Sequence, residues 1–384
     1  MENGLLLQAL GGETRAFRFR DGDLVDLGVW RGRQPLPGDV YLGRVQRLEP
    51  ALGLAFCDLG VGPAGVLPFD QAPKTLTEGL ALPLRILRAA APGKGPKLTA
   101  ARGPTAWREG PAPRLLQAGS DRLARFLAPE PAEIQVDSAD LARQFQARGL
   151  SAKLVPGGFS GSLANRLEAE VECLLRPRVD LPGGGSLLIE PGETLTAIDV
   201  NMGAGGRGGA AAAATAFNLQ ALPEIARQLR LRSLAGRILI DCLALASPAQ
   251  RQGLRQAMGR ALADDPETTR LRGLTESGLL ELTRRRGLLA PLHELLTEPA
   301  GPFGGRRLTR RAAAAALIRR LSAQLRETPG APLRLEVDPP LLVALDLLED
   351  WQALRQAAGP SLRLETREAA PDDDGYRLAT ETRD

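Results

Sequence analysis

Two aspartates at the ends of short apolar runs carry the most chemistry in this 384-residue chain. Asp199 closes the run TLTAIDV at 194–200, and Asp241 closes Ile238-Leu239-Ile240. Between the two predicted strands, a glycine-rich stretch at 203–209 leads into a long amphipathic helix over about 215–232. Such a strand–helix–strand crossover is right-handed and sets its strands parallel, often as neighbours. Ligands of open α/β sheets sit at the carboxyl ends of strands. Neighbouring strands lie ~4.8 Å apart, so both carboxylates can reach one small volume. Two carboxylates that close repel unless they share a cation or a proton. Oxygen-only ligands favour Mg²⁺ or Mn²⁺, which keep positions open for water and a phosphate. Asn201, two residues after Asp199, points to the same side and is placed to orient a carboxylate or a bound water. Taken singly, an aspartate after an apolar strand is more often a turn or cap residue; two at equivalent strand ends bring a metal-phosphate site level with that reading. The glycine run matches neither a Walker A loop nor a Rossmann fingerprint and reads equally as a flexible loop.

Composition narrows the remaining chemistry. His293 is the single histidine, which removes His-His nuclease sites and multi-histidine metal sites. Cys57, Cys173 and Cys242 lie far apart, excluding a disulfide framework or a cysteine-rich zinc site and pointing to a reducing, cytoplasmic compartment. Net charge is +4; lysine occurs only at 74, 94, 97 and 153, and arginine supplies the rest of the 49 basic residues. The planar arginine fork matches phosphate oxygens, so the balance leans toward a nucleic-acid partner. No apolar run approaches the ~20 residues of a membrane helix, and MENGLLLQAL lacks the pattern of a signal peptide.

The elements around the aspartates follow from period and punctuation. Residues 5–28 alternate about Asp21-Gly22 and predict a β-hairpin. Short β-runs at 40–42, 54–56, 65–67 and 84–87, broken by Gly, Pro and Asp, suit a small barrel such as an OB-fold. Residues 103–116 are Pro/Gly-rich and read as a linker. Beyond them come strands at 134–136, 152–155, 187–190, 194–200, 238–241 and 333–337. Helices are predicted at 138–148, 161–176, 248–263, near 284–296, 309–326 and 340–356.

GGSLLIEPGETLTAIDVNMG (184–203), EIARQLRLRSLAGRILIDCLAL (224–245) and LTESGLLELTRRR (274–286) resemble, in order and spacing, the core motifs of the ribonuclease E/G family. GDVYLGRVQRLEPALGLAFCDLGVGPAGVLPF (38–69) resembles the family's OB-fold, PGKGPKLT (92–99) its closing lysine-glycine loop, and the last 80 residues its small C-terminal domain. The resemblance implies an α+β multidomain chain. An OB-fold β-barrel at 36–102 is inserted in an RNase H-like α/β subdomain built from 1–35 and 117–182. A deoxyribonuclease I-like α/β catalytic subdomain at 183–296 and a small α/β C-terminal domain at 306–384 follow.

It further implies an Mg²⁺-dependent endoribonuclease, with Mn²⁺ as the possible substitute, cutting single-stranded RNA to 5′-phosphate and 3′-hydroxyl ends. Asp199 and Asp241 match the metal-binding aspartates, Asn201 their supporting asparagine, Phe56 a base-stacking aromatic and Lys94 its companion. From the sequence alone Phe56 is as much a barrel-core residue as a stacker. Where the family carries a second aromatic stands Val66, and where its I-D-F-I-D strand carries a second aspartate stands Ala244. An Asp-Arg-Ala-Arg run reads Asp265-Pro266-Glu267-Thr268, leaving Arg270 as the substitute for an RNA-contacting arginine. The linker replaces a five-prime-sensor insertion, so preference for 5′-monophosphate is expected to be absent. The zinc-link segment corresponds to 297–305 and lacks every ligand, so no zinc and at most a homodimer not held by zinc is expected. His293 on its leucine-rich stretch reads as a packing residue, and the arginines at 227, 230, 232 and 284–286 as phosphate contacts or a solvated face. The competing reading is a non-catalytic RNA-binding or assembly factor that keeps the fold.

Overall fold

The computed structural model describes residues 3–32, 34–90, 93–203, 210–245, 247–300, 305–368 and 374–380. Contacts divide the chain into two units: 31–128, and 1–30 together with 129–384.

The larger unit opens with β1 (Gly4–Gln8), β2 (Thr14–Arg20) and β3 (Asp23–Trp30). Asp21 and Gly22 join β2 to β3 with φ of 50° and 84°, the two positive values that match a tight turn to the strand twist.

The smaller unit holds β4 (Val40–Glu49), β5 (Leu54–Asp58), β6 (Gly65–Pro68), β7 (Ala81–Arg88), β8 (Lys97–Ala100) and β9 (Arg114–Gln117). Five of these strands close into a ring in the order β4-β5-β6-β8-β7 and back to β4, consistent with an OB-fold. Its interior is filled by alternate residues, among them Tyr41, Val45, Ala55, Cys57, Leu67 and Leu98. The linker expected at 103–116 ends earlier than its composition suggests. Arg114–Gln117 is a strand on β4, because Leu115 finds apolar partners on the barrel core.

The larger unit resumes with β10 (Glu133–Val136), α1 (Ala139–Gln146), β11 (Lys153–Leu154) and α2 (Gly161–Leu175). β10 pairs parallel with β1, giving a sheet of order β11-β10-β1-β2-β3. Phe17, Phe19, Leu24 and Leu27 pack in one buried cluster with Leu167, Val171 and Leu174 of α2.

Next come β12 (Arg178–Asp180), β13 (Ser186–Pro191), β14 (Thr196–Asn201), α3 (Ala210–Leu231), β15 (Gly236–Asp241), α4 (Pro248–Ala261), β16 (Thr269–Leu274) and β17 (Leu280–Arg284). The strands form a second sheet of order β12-β13-β14-β15-β17-β16. α4 begins on a capping box in which Ser247 Oγ accepts from Gln250 N and Gln250 Oε1 accepts from Ser247 N. The helix expected near 284–296 is replaced by β17, a loop and the five-residue α5 (Leu292–Leu296). Leu280, Leu282 and Arg284 are buried in alternation, a period of two that belongs to a strand.

The chain ends with β18 (Thr297–Pro299), β19 (Arg306–Leu308), α6 (Arg310–Glu327), β20 (Leu333–Val337), α7 (Pro339–Asp346), α8 (Glu349–Ala358), β21 (Leu362–Thr366) and β22 (Tyr376–Thr380). One long helix expected at 340–356 is thus two, with Leu348 turning inward between them to the cluster that holds Trp351. β18 pairs with β19 across the segment read as a degenerate zinc link, whose residues 301–304 lie outside the described ones. Among the described residues no helix is long and apolar enough to cross a membrane.

Candidate active site

β14 and β15 are adjacent and parallel, and their register sets Asp199 opposite Asp241. The expected crossover therefore joins neighbouring strands. Alternation fixes which way the side chains point. Ile198, Val200, Ile238, Ile240, Leu280 and Leu282 are buried in the cluster that includes Leu222, Ile225 and Leu229 of α3. Asp199, Asn201, Leu239 and Asp241 occupy the opposite face, where Asp199 is half-buried and Asp241 exposed. The carboxylates thus stand on the uncovered face of the sheet rather than beyond its edge. Asn201 Nδ2 donates to Asp199 Oδ2 at 2.6 Å. That bond uses one lone-pair direction of the carboxylate and holds its plane. Among the described residues no cluster of three or more His, Cys, Asp or Glu side chains gathers at a metal-binding spacing. The glycine run at 203–209 lies, after Gly203, outside the described residues.

Further rows follow along the same face. Leu239 stands opposite Glu281 of β17, and the next row places Arg237, Thr283 and Arg270 side by side. Arg237 is four residues from Asp241, ~13 Å along the strand. Arg237 and Arg270 are exposed and form no ion pair among the described residues. Arg270 stands out in the sequence just after the altered run at 265–268, whereas for Arg237 the only sequence signal is the alternation Gly-Arg-Ile-Leu-Ile-Asp, which puts it on the face of Asp241.

Asn218 is a second residue that pattern alone does not reveal. Buried on α3, it donates through Nδ2 to Leu243 O at 2.8 Å and accepts at Oδ1 from Leu243 N at 2.9 Å. It clamps the backbone two residues beyond Asp241 as a strand neighbour would. An asparagine inside an apolar helix face is the signal that was available.

Most arginines considered for phosphate contact are committed to the fold. Arg227 Nε and Arg230 Nε donate to Leu24 O and Val25 O of β3. Arg284 forms a bidentate pair with Asp265 and donates to Leu234 O; Arg286 forms a bidentate pair with Glu294. Arg285, exposed and 3.7 Å from Glu267, is the freest of that triplet. Asp265 itself is buried against Arg284, so the altered run at 265–268 serves packing.

On the barrel, Phe56 faces outward between the inward Ala55 and Cys57. Pairing across the strands aligns Arg47, Phe56, Val66 and Lys97 in one row. The Arg47 guanidinium carbon lies 4.8 Å from the Phe56 ring centroid, a cation–π distance. Lys94 is exposed in the turn before β8. A Cβ on the next residue, Gly95, would sit 1.8 Å from Ala64 O, so only glycine lets that turn press against the start of β6. Phe56 and Lys94 therefore belong to one barrel, with Lys97 the lysine aligned by register.

His293 is partly buried on α5, and burial together with Arg306, Arg286 and Arg232 lowers its pKa to about 4 against the opposing pull of Glu294. It is neutral near pH 7 and far in sequence from both aspartates.

Residues 159–287 match the model of the Ribonuclease E/G family. Ribonuclease E of Nostoc sp. is 43% identical over 122 residues, covering 32% of this chain and 18% of that protein. Ribonuclease E of Escherichia coli is 34% identical over 191 residues, covering 46% and 18%. A ribonuclease E/G-like chloroplastic protein of Arabidopsis thaliana is 37% identical over 123 residues, covering 31% and 12%. The chain thus spans about a fifth or less of the length of these relatives. The matched segment contains Asp199, Asn201, Asn218, Arg237, Arg270 and Asp241, and over it the chain is similar to the ribonuclease E/G family.

Proposed function

We propose that the chain is an endoribonuclease that cuts single-stranded RNA with a divalent ion, Mg²⁺ or in its place Mn²⁺, held by Asp199 and Asp241, leaving 5′-phosphate and 3′-hydroxyl ends. The observation that carries this reading is the in-register placement of two carboxylates on the open face of a sheet, inside the family segment. The donor set fits such an ion. It offers only oxygens, one carboxylate is held by Asn201, and no third acidic side chain joins it among the described residues, which leaves room for water and phosphate. When bound, the ion offsets charge on the scissile phosphate and lowers the pKa of a water.

The protein's own groups do the rest. Asn201 donates to Asp199 Oδ2 and keeps the carboxylate from rotating, while Asp241 supplies the facing oxygens. Arg237 and Arg270, unpaired further along the face, take flanking phosphates. Phe56, with Arg47 beside it, takes an unpaired base in the barrel, and Lys94 a nearby phosphate; stacking of this kind is worth ~1–3 kcal/mol per base. In the same reading the sheet of β1 to β3 is RNase H-like, the sheet of β12 to β17 deoxyribonuclease I-like, and the short 103–113 connection provides no sensor for a 5′-monophosphate. The enzyme acts in the cytoplasm, carries no zinc at 297–305, and any homodimer forms without zinc.

The test is cleavage of an unstructured 5′-hydroxyl RNA oligonucleotide by the pure protein with Mg²⁺ or Mn²⁺. Asp199→Asn and Asp241→Asn are expected to lower the rate at least about 100-fold while still binding RNA, and Asn201→Ala to lower it less. Wild-type rates from Asp199→Asn, or no cleavage by the parent with either ion, overturn the proposal. A second reading, an RNA-binding factor without turnover, draws on Val66 standing beside Phe56 where a second aromatic would stack. It expects binding that weakens with salt and ignores divalent ions.

A further inference from the structure

We propose that a cavity between α2, β13, the end of α3 and α5 binds a small organic carboxylate with an aliphatic tail. Its volume is about 470 Å³, within the range of small-molecule sites. Its floor is apolar: Leu174, Ile189, Leu234 and Leu292 line it and are all buried. Its walls carry the two cations Arg232 and Arg306 beside the neutral imidazole of His293.

Arg232 carries the argument. It is 4% exposed, its Nε donates to the neutral Gln228 amide at 2.7 Å, and its Nη2 has no partner among the described residues. Among the described residues no carboxylate hydrogen-bonds to it: Glu224, two turns earlier on α3, attracts its charge from a distance but accepts from Arg227 and Gln228. A buried guanidinium without a directly bonded counter-ion is costly, and natural folds pair such charges. His293 Nδ1 is likewise buried without a partner. Arg306 spends Nε and Nη2 on Thr297 and on the His293 carbonyl, and its Nη1 has no hydrogen-bond partner among the described residues. The nearby acids do not neutralise this wall. Glu294 is held bidentately by Arg286, and Glu190 is exposed and accepts no hydrogen bond from either arginine.

Unmatched donors above an apolar floor define the ligand. A carboxylate fits the guanidinium fork and supplies the missing charge. An aliphatic tail covers the leucines and Ile189, which a bare phosphate does not and an alcohol does only without charge.

His293 is the only histidine in the chain, so its imidazole C–H resonances report on this cavity alone. Titration of the full chain with sodium hexanoate should move those resonances saturably, with Kd on the order of 1 mM. Hexan-1-ol, sodium chloride and inorganic phosphate at equal concentration should not. Arg232→Met should weaken binding at least about tenfold, the loss of one charge-assisted contact. Arg306→Gln, at an exposed site that tolerates change, should weaken it about threefold and keeps the test decisive where the first variant does not fold. Absence of a saturable shift in the parent, an equal shift with the alcohol, chloride or phosphate, or parental affinity in the folded variants overturns the proposal. Neither RNA nor a divalent ion enters the measurement, so its outcome is separate from that of the nuclease proposal.

Discussion

Replacing Asp265 with alanine tests whether Arg284 serves the fold or the nucleic acid. Arg284 is 2% exposed, with Nε at 2.7 Å and Nη2 at 2.6 Å from the two Asp265 oxygens and Nη1 at 2.7 Å from Leu234 O. Asp265→Ala leaves that guanidinium buried without its counter-ion, a loss of about 3–5 kcal/mol. At roughly 2–4 °C per kcal/mol for a domain of this size class, the midpoint should fall by about 10 °C. Asp265→Asn keeps one acceptor oxygen and should fall between. The double variant Asp265→Leu with Arg284→Met removes both charges and should recover most of the loss, which separates pairing from packing. Thermal and urea unfolding followed by circular dichroism are the assays. Raising salt from 0.1 to 0.5 M should leave the differences unchanged, because a buried pair is little screened. A loss under about 1 kcal/mol for Asp265→Ala would refute the reasoning. So would an Arg284→Met protein of parental stability whose RNA affinity alone falls.

Three further outcomes are expected. Asn218→Ala strands the Leu243 N–H and C=O, costing about 2 kcal/mol in urea unfolding, and lowers RNA cleavage by loosening the segment behind Asp241. His293, with a folded pKa of about 4 against 6.5 unfolded, binds its proton first in the unfolded chain. Stability should therefore fall as pH drops from about 6.5 to 4, by on the order of 2 kcal/mol given its partial exposure, and His293→Gln should flatten that slope. Replacing Arg237 and Arg270 together with glutamine should weaken RNA binding evenly across sequences and lower the salt slope by roughly one to two ions, leaving the unfolding midpoint unchanged.

Local patterning made most elements legible, and its failures have definite causes. The Asp21-Gly22 turn, the barrel runs and the strand–helix–strand around Asp199 and Asp241 each carry a clean period bounded by turn residues. Even the facing of the two aspartates was open to inference, because a crossover over a single helix joins parallel strands. The stretch 280–286 misled because Arg284 is a buried charge: a polar residue at a core position breaks the alternation, and only its distant partner Asp265 restores the sense. β16 and β21 are half exposed on both sides and offer little contrast to read. At the site, Asp199, Asn201 and Asp241 announce themselves by type and spacing. Asn218 and Arg237 do not, since one acts through backbone atoms of a remote segment and the other depends on the register of three strands.

The alternation of β14, β15 and β17 divides labour residue by residue. One set of positions is answerable to the packed layer beneath and has almost no freedom; the interleaved set is exposed or half-exposed and freer to vary in charge and size. Selection for a new substrate can therefore rewrite half of each strand without taxing the other half. A saturation scan across 196–201, 236–241 and 280–284 should show tolerance rising and falling at every second residue, with Asp199, Asn201, Asp241 and, for RNA binding, Arg237 as the intolerant positions of the otherwise permissive set.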